Sequence, residues 1–143
     1  RNPDGEWMSQ HFQFETNMSQ TGSNADYRGL IKPSQQGAAL AYIHKGVGAG
    51  AVSGVDTASL DADTIEKLDL AIEALKAAKG KSLVVAGSNR KSAQVIANSI
   101  NAHLNNYSGP INMNNPIMLH ASQDEKMANA IKEMNRSEEK LPQ

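Results

Sequence analysis

The sequence predicts an α/β protein, a small three-layer or partial Rossmann-like parallel unit with an irregular amino-terminal arm. A run of mostly branched residues over 82–87 predicts a buried parallel strand. Apolar residues at helical spacing predict one helix on each side of it, over 63–79 and 92–105. Because helix–strand–helix is the repeating unit of a parallel α/β layer, we divide the chain into an arm over 1–37 and an α/β unit over 38–143.

The arm is polar and has no sustained helical or strand period, apart from one extended piece at residues 11–15. Phe12 and Phe14 are the only two phenylalanines of the chain, and alternation in a strand places both on one side of that piece. Aromatic side chains are common anchors at protein interfaces. We therefore predict that Phe12 and Phe14 form a partner interface.

The predicted helices have recognisable ends. A short helix over 37–45 takes Ser34 as its cap, and the strongest helix takes Asp61 as its cap and Gly80 as its left-handed stop. A last helix over 123–135 takes Ser122 as its cap. The residues predicted to face inward are Ile65, Leu68, Ala71, Ile72 and Leu75, then Ala93, Ile96, Ile100 and Leu104, then Met127, Ala130, Ile131 and Met134.

Composition and motifs exclude several functions. The chain has 143 residues, a net charge of -1, no cysteine and no basic block, so a multidomain enzyme and nucleic-acid binding are not expected. No apolar run approaches the roughly 20 residues of a membrane span, so direct membrane insertion is not expected. The histidines at 11, 44, 103 and 120 lack metal-ligand spacing, and no catalytic motif is present. We predict no catalytic and no metal-binding residue.

Two glycine-containing loops are candidates for nucleotide binding. Gly48-x-Gly50-x-x-x-Gly54 resembles a dinucleotide fingerprint, but a predicted helix precedes it where the fingerprint needs a strand, so a linker is the better interpretation. The loop from Gly87 to Lys91 follows the predicted strand and opens the next helix, where open α/β sheets bind ligands. An autonomous enzyme that binds a nucleotide or phosphate ligand through Gly87–Lys91 is therefore the alternative function, and an ordinary strand-to-helix turn is the simpler interpretation.

Two blocks of sequence resemble a known family. The first runs from His11-Phe12-Gln13-Phe14-Glu15 through Met18-Ser19-x-Thr21-Gly22-Ser23-Asn24-Ala25-Asp26-x-Arg28 to Ile31-Lys32-Pro33-Ser34-Gln35-x-Gly37. The second is Gly80-Lys81-Ser82-Leu83-Val84-Val85-Ala86-Gly87-Ser88-Asn89, followed by Ala97-Asn98-x-Ile100-Asn101-x-x-Leu104-Asn105-Asn106-Tyr107. Both resemble segments of the iron–sulfur subunit of bacterial alternative complex III, a respiratory quinol oxidoreductase related to molybdopterin oxidoreductases.

The resemblance implies a fragment of the molybdopterin-oxidoreductase-like portion of that subunit, which is also described as a hydrogenase component. It implies a non-catalytic scaffold in electron transport, on the periplasmic side of the inner membrane. The partners would be other domains and subunits of a membrane-associated respiratory complex, and an exposed strand edge allows pairing between copies. The parent subunit would carry iron–sulfur clusters and this chain no cofactor, with Gly87, Ser88 and Asn89 as a vestigial cofactor site.

Overall fold

The computed structural model describes residues 8–116 and 123–138, which confirm a mixed α/β protein. Residues up to Met113 form one compact unit, and residues from Asn114 onward form a second. In chain order, the elements are β1 Phe12–Glu15, α1 Gln20–Ser23, β2 Tyr27–Leu30, a 3-10 turn Pro33–Gln35, α2 Gln36–Gly46, α3 Ala62–Ala77, α4 Lys91–His103, a 3-10 turn Asn106–Ser108 and α5 Asp124–Glu138.

The extended piece predicted at residues 11–15 is confirmed as β1, whereas α1 and β2 are regular where the sequence predicts irregular structure. β1 and β2 pair in parallel, with Phe12 opposite Tyr27 and Glu15 opposite Leu30. The ring of Phe12 stacks on Tyr27 with 4.7 Å between centroids and 9° between planes. These cross-strand contacts stabilise the strand pair, of which the sequence indicates β1 but not β2.

The core lies among β1, β2 and helices α2, α3 and α4. Its buried side chains are Ile31, Ala38, Ala39, Ile43, Val47, Leu60, Leu68, Ile72, Ile100 and Leu104. The inward faces predicted for α3 and α4 are confirmed, since Leu68, Ala71, Ile72, Ala93, Ile100 and Leu104 are buried, with Ile65, Leu75 and Ile96 partly buried against the core. Periodicity alone therefore located both helix faces.

The helix ends agree with the sequence except at α2. Asp61 caps α3, because its carboxylate accepts a hydrogen bond of 2.8 Å from the Thr64 N–H. Gly80 takes the predicted left-handed conformation, with φ of 77°. Ser34 is not the cap of α2, because Pro33 starts a 3-10 turn that contains Ser34, and the helix begins one residue after Gln35. Ser122 lies outside the described residues.

The run predicted as a buried strand forms no strand in the described structure, but half-buried and exposed residues alternate from Ser82 to Ser88, as in an extended chain. Val84 packs partly buried against the core, whereas Leu83 and Val85 are 54% and 75% exposed. The prediction of a buried parallel strand is therefore wrong for these residues as the structure describes them. We call residues 82–88 the extended segment.

The second unit contains α5, which is described by itself. Its predicted inward face is exposed, with Met127, Ile131 and Met134 at 64%, 51% and 68%. Ala130 is exposed as well, so the apolar face of α5 is not part of a core. Of the helices in the described ranges, none has both the length and the apolar character that a bilayer crossing requires.

Candidate functional site

A groove of about 1170 Å³ lies within the first unit, between two lengths of extended chain. Residues 8–16, which include β1, form one wall, and residues 81–88, which include the extended segment, form the other. Aliphatic side chains of α2, of α3 and of the residue that follows α3 form the floor: Ala39, Leu40, Ile43, Ala71, Ala74 and Ala78. The groove thus lies between β1 and a length of chain that belongs to no described sheet, over residues of two helices.

The β1 wall presents unpaired backbone groups to the groove. The carbonyl oxygens of His11 and Glu15 accept hydrogen bonds from Tyr27 and Ile31, so the odd-numbered residues of β1 face β2. In a parallel ladder, alternate residues of a strand direct their N–H and C=O groups to opposite edges. The backbone of Phe12 and Phe14 therefore faces the edge away from β2, where no described strand pairs with it.

A carboxamide takes the place of a neighbouring strand at the extended segment. The Val84 N–H donates to Oδ1 of Asn101 (2.9 Å), and Nδ2 of Asn101 donates to the Val84 carbonyl (2.7 Å). Nε2 of Gln94 donates to the carbonyls of Ala86 and Ser88, at 2.9 and 2.6 Å. Both side chains belong to α4, so the even-numbered residues of the segment face that helix.

Asn101 is held in turn by a second buried amide. Nδ2 of Asn106 donates to Oδ1 of Asn101 (3.0 Å), and the hydroxyl of Ser82 donates to Oδ1 of Asn106 (3.1 Å). Asn101 and Asn106 are only 3% and 0% exposed. Buried amides are stable only when they are hydrogen-bonded, so this network keeps the segment extended beside α4.

The opposite edge of the extended segment is open. Because Val84, Ala86 and Ser88 face α4, the N–H and C=O groups of Leu83, Val85 and Gly87 face the other way. No hydrogen bond joins these groups to any other part of the chain that the structure describes. Both walls of the groove therefore carry backbone donors and acceptors that a further strand would satisfy.

The predicted interface residues contribute to the groove in two ways. Phe12 and Phe14 both line it, but the ring of Phe14 packs against the chain's own core and the ring of Phe12 stacks on Tyr27. Their rings thus stabilise β1, while the backbone of the same residues forms the open edge. A partner interface at these two residues stays a prediction.

The loop predicted as a vestigial cofactor site lies at one end of the groove. Gly87 and Ser88 line the groove, whereas Asn89 does not. Helix α4 begins at Lys91, and no side chain caps its first turn. The hydroxyl of Ser88 accepts a hydrogen bond of 3.2 Å from the Arg90 N–H, so a local turn organises the loop.

Two charged side chains of the groove differ in their surroundings. Oε1 of Glu15 lies 2.7 Å from Nε of Arg28, and the N–H and hydroxyl of Ser19 donate to the same carboxylate. A β-carbon at Gly22 would collide with Glu15, so the glycine makes room for this carboxylate. Lys81 is exposed, and no described acidic side chain pairs with it.

The remaining candidate chemistry lies away from the groove. Nδ1 of His44 contacts the Gly50 carbonyl and its Nε2 contacts the hydroxyl of Ser99, both at 2.9 Å. Because a carbonyl only accepts, Nδ1 is the donor to Gly50. This pair links α2 to α4 and holds the glycine-rich loop. The described ranges bring together no group of three or more side chains suited to a metal ion, and His120 lies outside them.

No motif in the sequence predicts these roles of Asn101, Asn106 and Gln94. The sequence does contain one indication that Asn101 is buried: it lies on the face of α4 that also carries Ala97, Ile100 and Leu104. A polar residue on an apolar helix face needs a hydrogen-bond partner. Gln94 lies on the exposed side of the helix, where nothing distinguishes it from a solvated residue.

Comparison with protein-family models, with curated proteins and with solved structures finds no match to this chain. The geometry of the groove is therefore the basis for assigning a function.

Replacing Asn101 tests whether its carboxamide holds the extended segment. We expect Asn101→Ala to lower the free energy of unfolding by about 1–3 kcal/mol, because Val84 and Asn106 lose buried partners. Asn98→Ala is the control on the same helix, since Asn98 is exposed and makes one hydrogen bond of 3.2 Å, to Tyr107. Urea unfolding measures the free energy of unfolding of both variants. An equally small decrease for both would contradict the role of Asn101.

The Glu15 carboxylate makes stability depend on pH. The hydrogen bond from Arg28, then that from Ser19, lowers the pKa of Glu15 from 4.5 to about 2. A lowered pKa in the folded state stabilises the protein fully above the unfolded value and progressively less as pH falls from 4.5 towards 2. We expect the stability difference between the wild type and Glu15→Gln to shrink over that interval.

Urea unfolding at several pH values measures this difference, with Glu66→Gln as the control. Glu66 is exposed and forms no ion pair within the described residues. A difference in the free energy of unfolding between wild type and Glu15→Gln that stays constant across the interval would show that the ion pair of Glu15 with Arg28 does not stabilise the fold.

Proposed function

We propose that this chain is a non-catalytic scaffold of a respiratory iron–sulfur electron-transfer subunit. It would correspond to the molybdopterin-oxidoreductase-like portion of an alternative complex III type quinol oxidoreductase, on the periplasmic side of the inner membrane. The observation that carries the proposal is the groove between β1 and the extended segment, because both of its walls are open backbone edges.

The groove supports a docking role through the kinds of group that form it. Backbone N–H and C=O groups bind other backbones in a sheet, and an aliphatic floor gains free energy when another apolar surface covers it. An open edge beside an apolar floor favours association with another polypeptide. A scaffold needs these properties, whereas a catalyst needs an activated nucleophile, acid or base beside its substrate.

The finer fold follows from the same proposal. A strand placed in the groove would lie between β1 and the extended segment, so that β2, β1, the added strand and residues 82–88 form one sheet. Helices α2 and α3 would then cover one face of that sheet, as in a partial Rossmann-like unit. The iron–sulfur clusters belong to other portions of the parent subunit under this proposal, since this chain has no cysteine to ligate them.

Blocking the groove in the intact complex tests the proposal. We expect Ala74→Phe, which places a ring on the groove floor, to reduce the chain's content in the purified, quinol-oxidising complex to below about a tenth of wild type. Ala62→Phe is the control, because Ala62 begins the same helix, is exposed and does not line the groove. The measurement is immunoblotting of detergent-solubilised membrane fractions, assayed in parallel for iron and for quinol oxidation.

Two results would contradict the scaffold role. One is a wild-type chain that is found only in fractions without iron–sulfur clusters and without quinol oxidation. The other is turnover of a nucleotide or phosphate ester by the purified chain alone, which would favour the enzyme that uses Gly87–Lys91.

A further inference from the structure

We propose that the groove binds one extended strand of a partner polypeptide, apolar in its middle and carrying a carboxylate at the end that reaches Lys81. This inference rests on the proposed docking function and specifies the chemistry of the partner. Three features of the groove carry it: the two open edges, the small floor and the charge at one end.

The two open edges select an extended backbone. Leu83, Val85 and Gly87 present their N–H and C=O groups from one wall, and Phe12 and Phe14 present theirs from the other. A helix uses its own backbone groups internally and has none to offer along its side. A strand has donors and acceptors on both of its edges, so it is the element that can pair with the open backbone groups of these walls.

The floor selects small or medium apolar side chains. Four of its residues, Ala39, Ala71, Ala74 and Ala78, are alanines, so the floor leaves room for side chains that point towards it from an added strand. Burying a charged group there would be costly because the aliphatic floor offers it no partner. The middle of the bound strand is therefore apolar on the side that faces the helices.

The charge at one end selects an acidic group. Lys81 lines the groove, is exposed and has no acidic partner among the described residues. The other charged lining residue considered above, Glu15, is already neutralised by Arg28 at 2.7 Å. A carboxylate near Lys81 would be attracted to its ammonium group, which has no acidic partner among the described residues.

A second copy of the chain fits the groove less well than a partner strand. Pairing of β1 with β1 of another copy would satisfy Phe12 and Phe14 but leave Leu83, Val85 and Gly87 open. The extended segment of another copy is itself bound to its own α4 through Asn101 and Gln94. It would have to lose those hydrogen bonds to enter the groove from a second molecule.

Selection from a displayed library tests the proposal with random peptides of about nine residues, enough to span the extended segment. The bait is the purified full chain, and the Ala74→Phe chain is used for counter-selection. We expect enriched peptides to be apolar in the middle, to lack proline there because proline has no N–H, and to end in an acidic residue.

A synthetic copy of the most enriched peptide is then measured by fluorescence anisotropy. We expect its affinity to fall about fivefold with Lys81→Glu. Lys79→Glu is the matched control, because Lys79 is exposed and does not line the groove. The Lys79→Glu chain should bind the peptide with the affinity of the wild type. A proline at the centre of the peptide should abolish binding.

Several outcomes would overturn the proposal. They are no enrichment over the Ala74→Phe chain, enrichment of helical or proline-rich peptides, and equal loss of affinity with Lys81→Glu and Lys79→Glu. A chain that dimerises by light scattering and excludes the peptides would show that a second copy fills the groove. Peptide binding without assembly into a respiratory complex would reject the proposed function alone, and assembly without peptide binding would reject this inference alone.

Discussion

The carboxamide of Asn101 holds residues 82–88 in an extended conformation, and the open groove depends on it. A strand normally stays extended because a neighbouring strand satisfies its backbone, but here a single side chain bonds both polar groups of Val84. Gln94 extends the same edge to Ala86 and Ser88. As a result the segment is held by α4 on one side, while its other edge is left without a described partner.

This arrangement explains how one small unit combines a buried core with open backbone edges. The core among β1, β2, α2, α3 and α4 is closed by aliphatic side chains such as Leu68 and Ile100, both at 0% exposure. Ala39 and Ile43, which line the floor of the groove, belong to the same core. A bound apolar strand would therefore cover part of the core itself and add to its buried surface.

The longer helices and the first strand could be predicted from the sequence, whereas α1 and the second strand could not. Helix periodicity located α3 and α4 with their buried faces, because one helix buries its own stripe of residues. Strand pairing depends on distant residues, so no local pattern predicted β2. Residues 82–87 were expected to be buried, although Leu83 and Val85 are exposed. The inward position of Asn101 was visible, but its partner Val84 lies 17 residues away. The open edge of residues 82–88 depends on that contact, because Asn101 binds the backbone of Val84 on the opposite side.

Amide hydrogen exchange, measured residue by residue by NMR, tests whether the described residues leave both edges of the groove unpaired in the isolated chain. We expect alternating protection, with slow exchange at Val84, Gln13 and Glu15 and fast exchange at Leu83, Val85, Phe12 and Phe14. Slow exchange at Leu83 and Val85 equal to that at Val84, in a chain shown to be monomeric, would mean that another part of the chain already fills the groove, and the open edges would be ruled out.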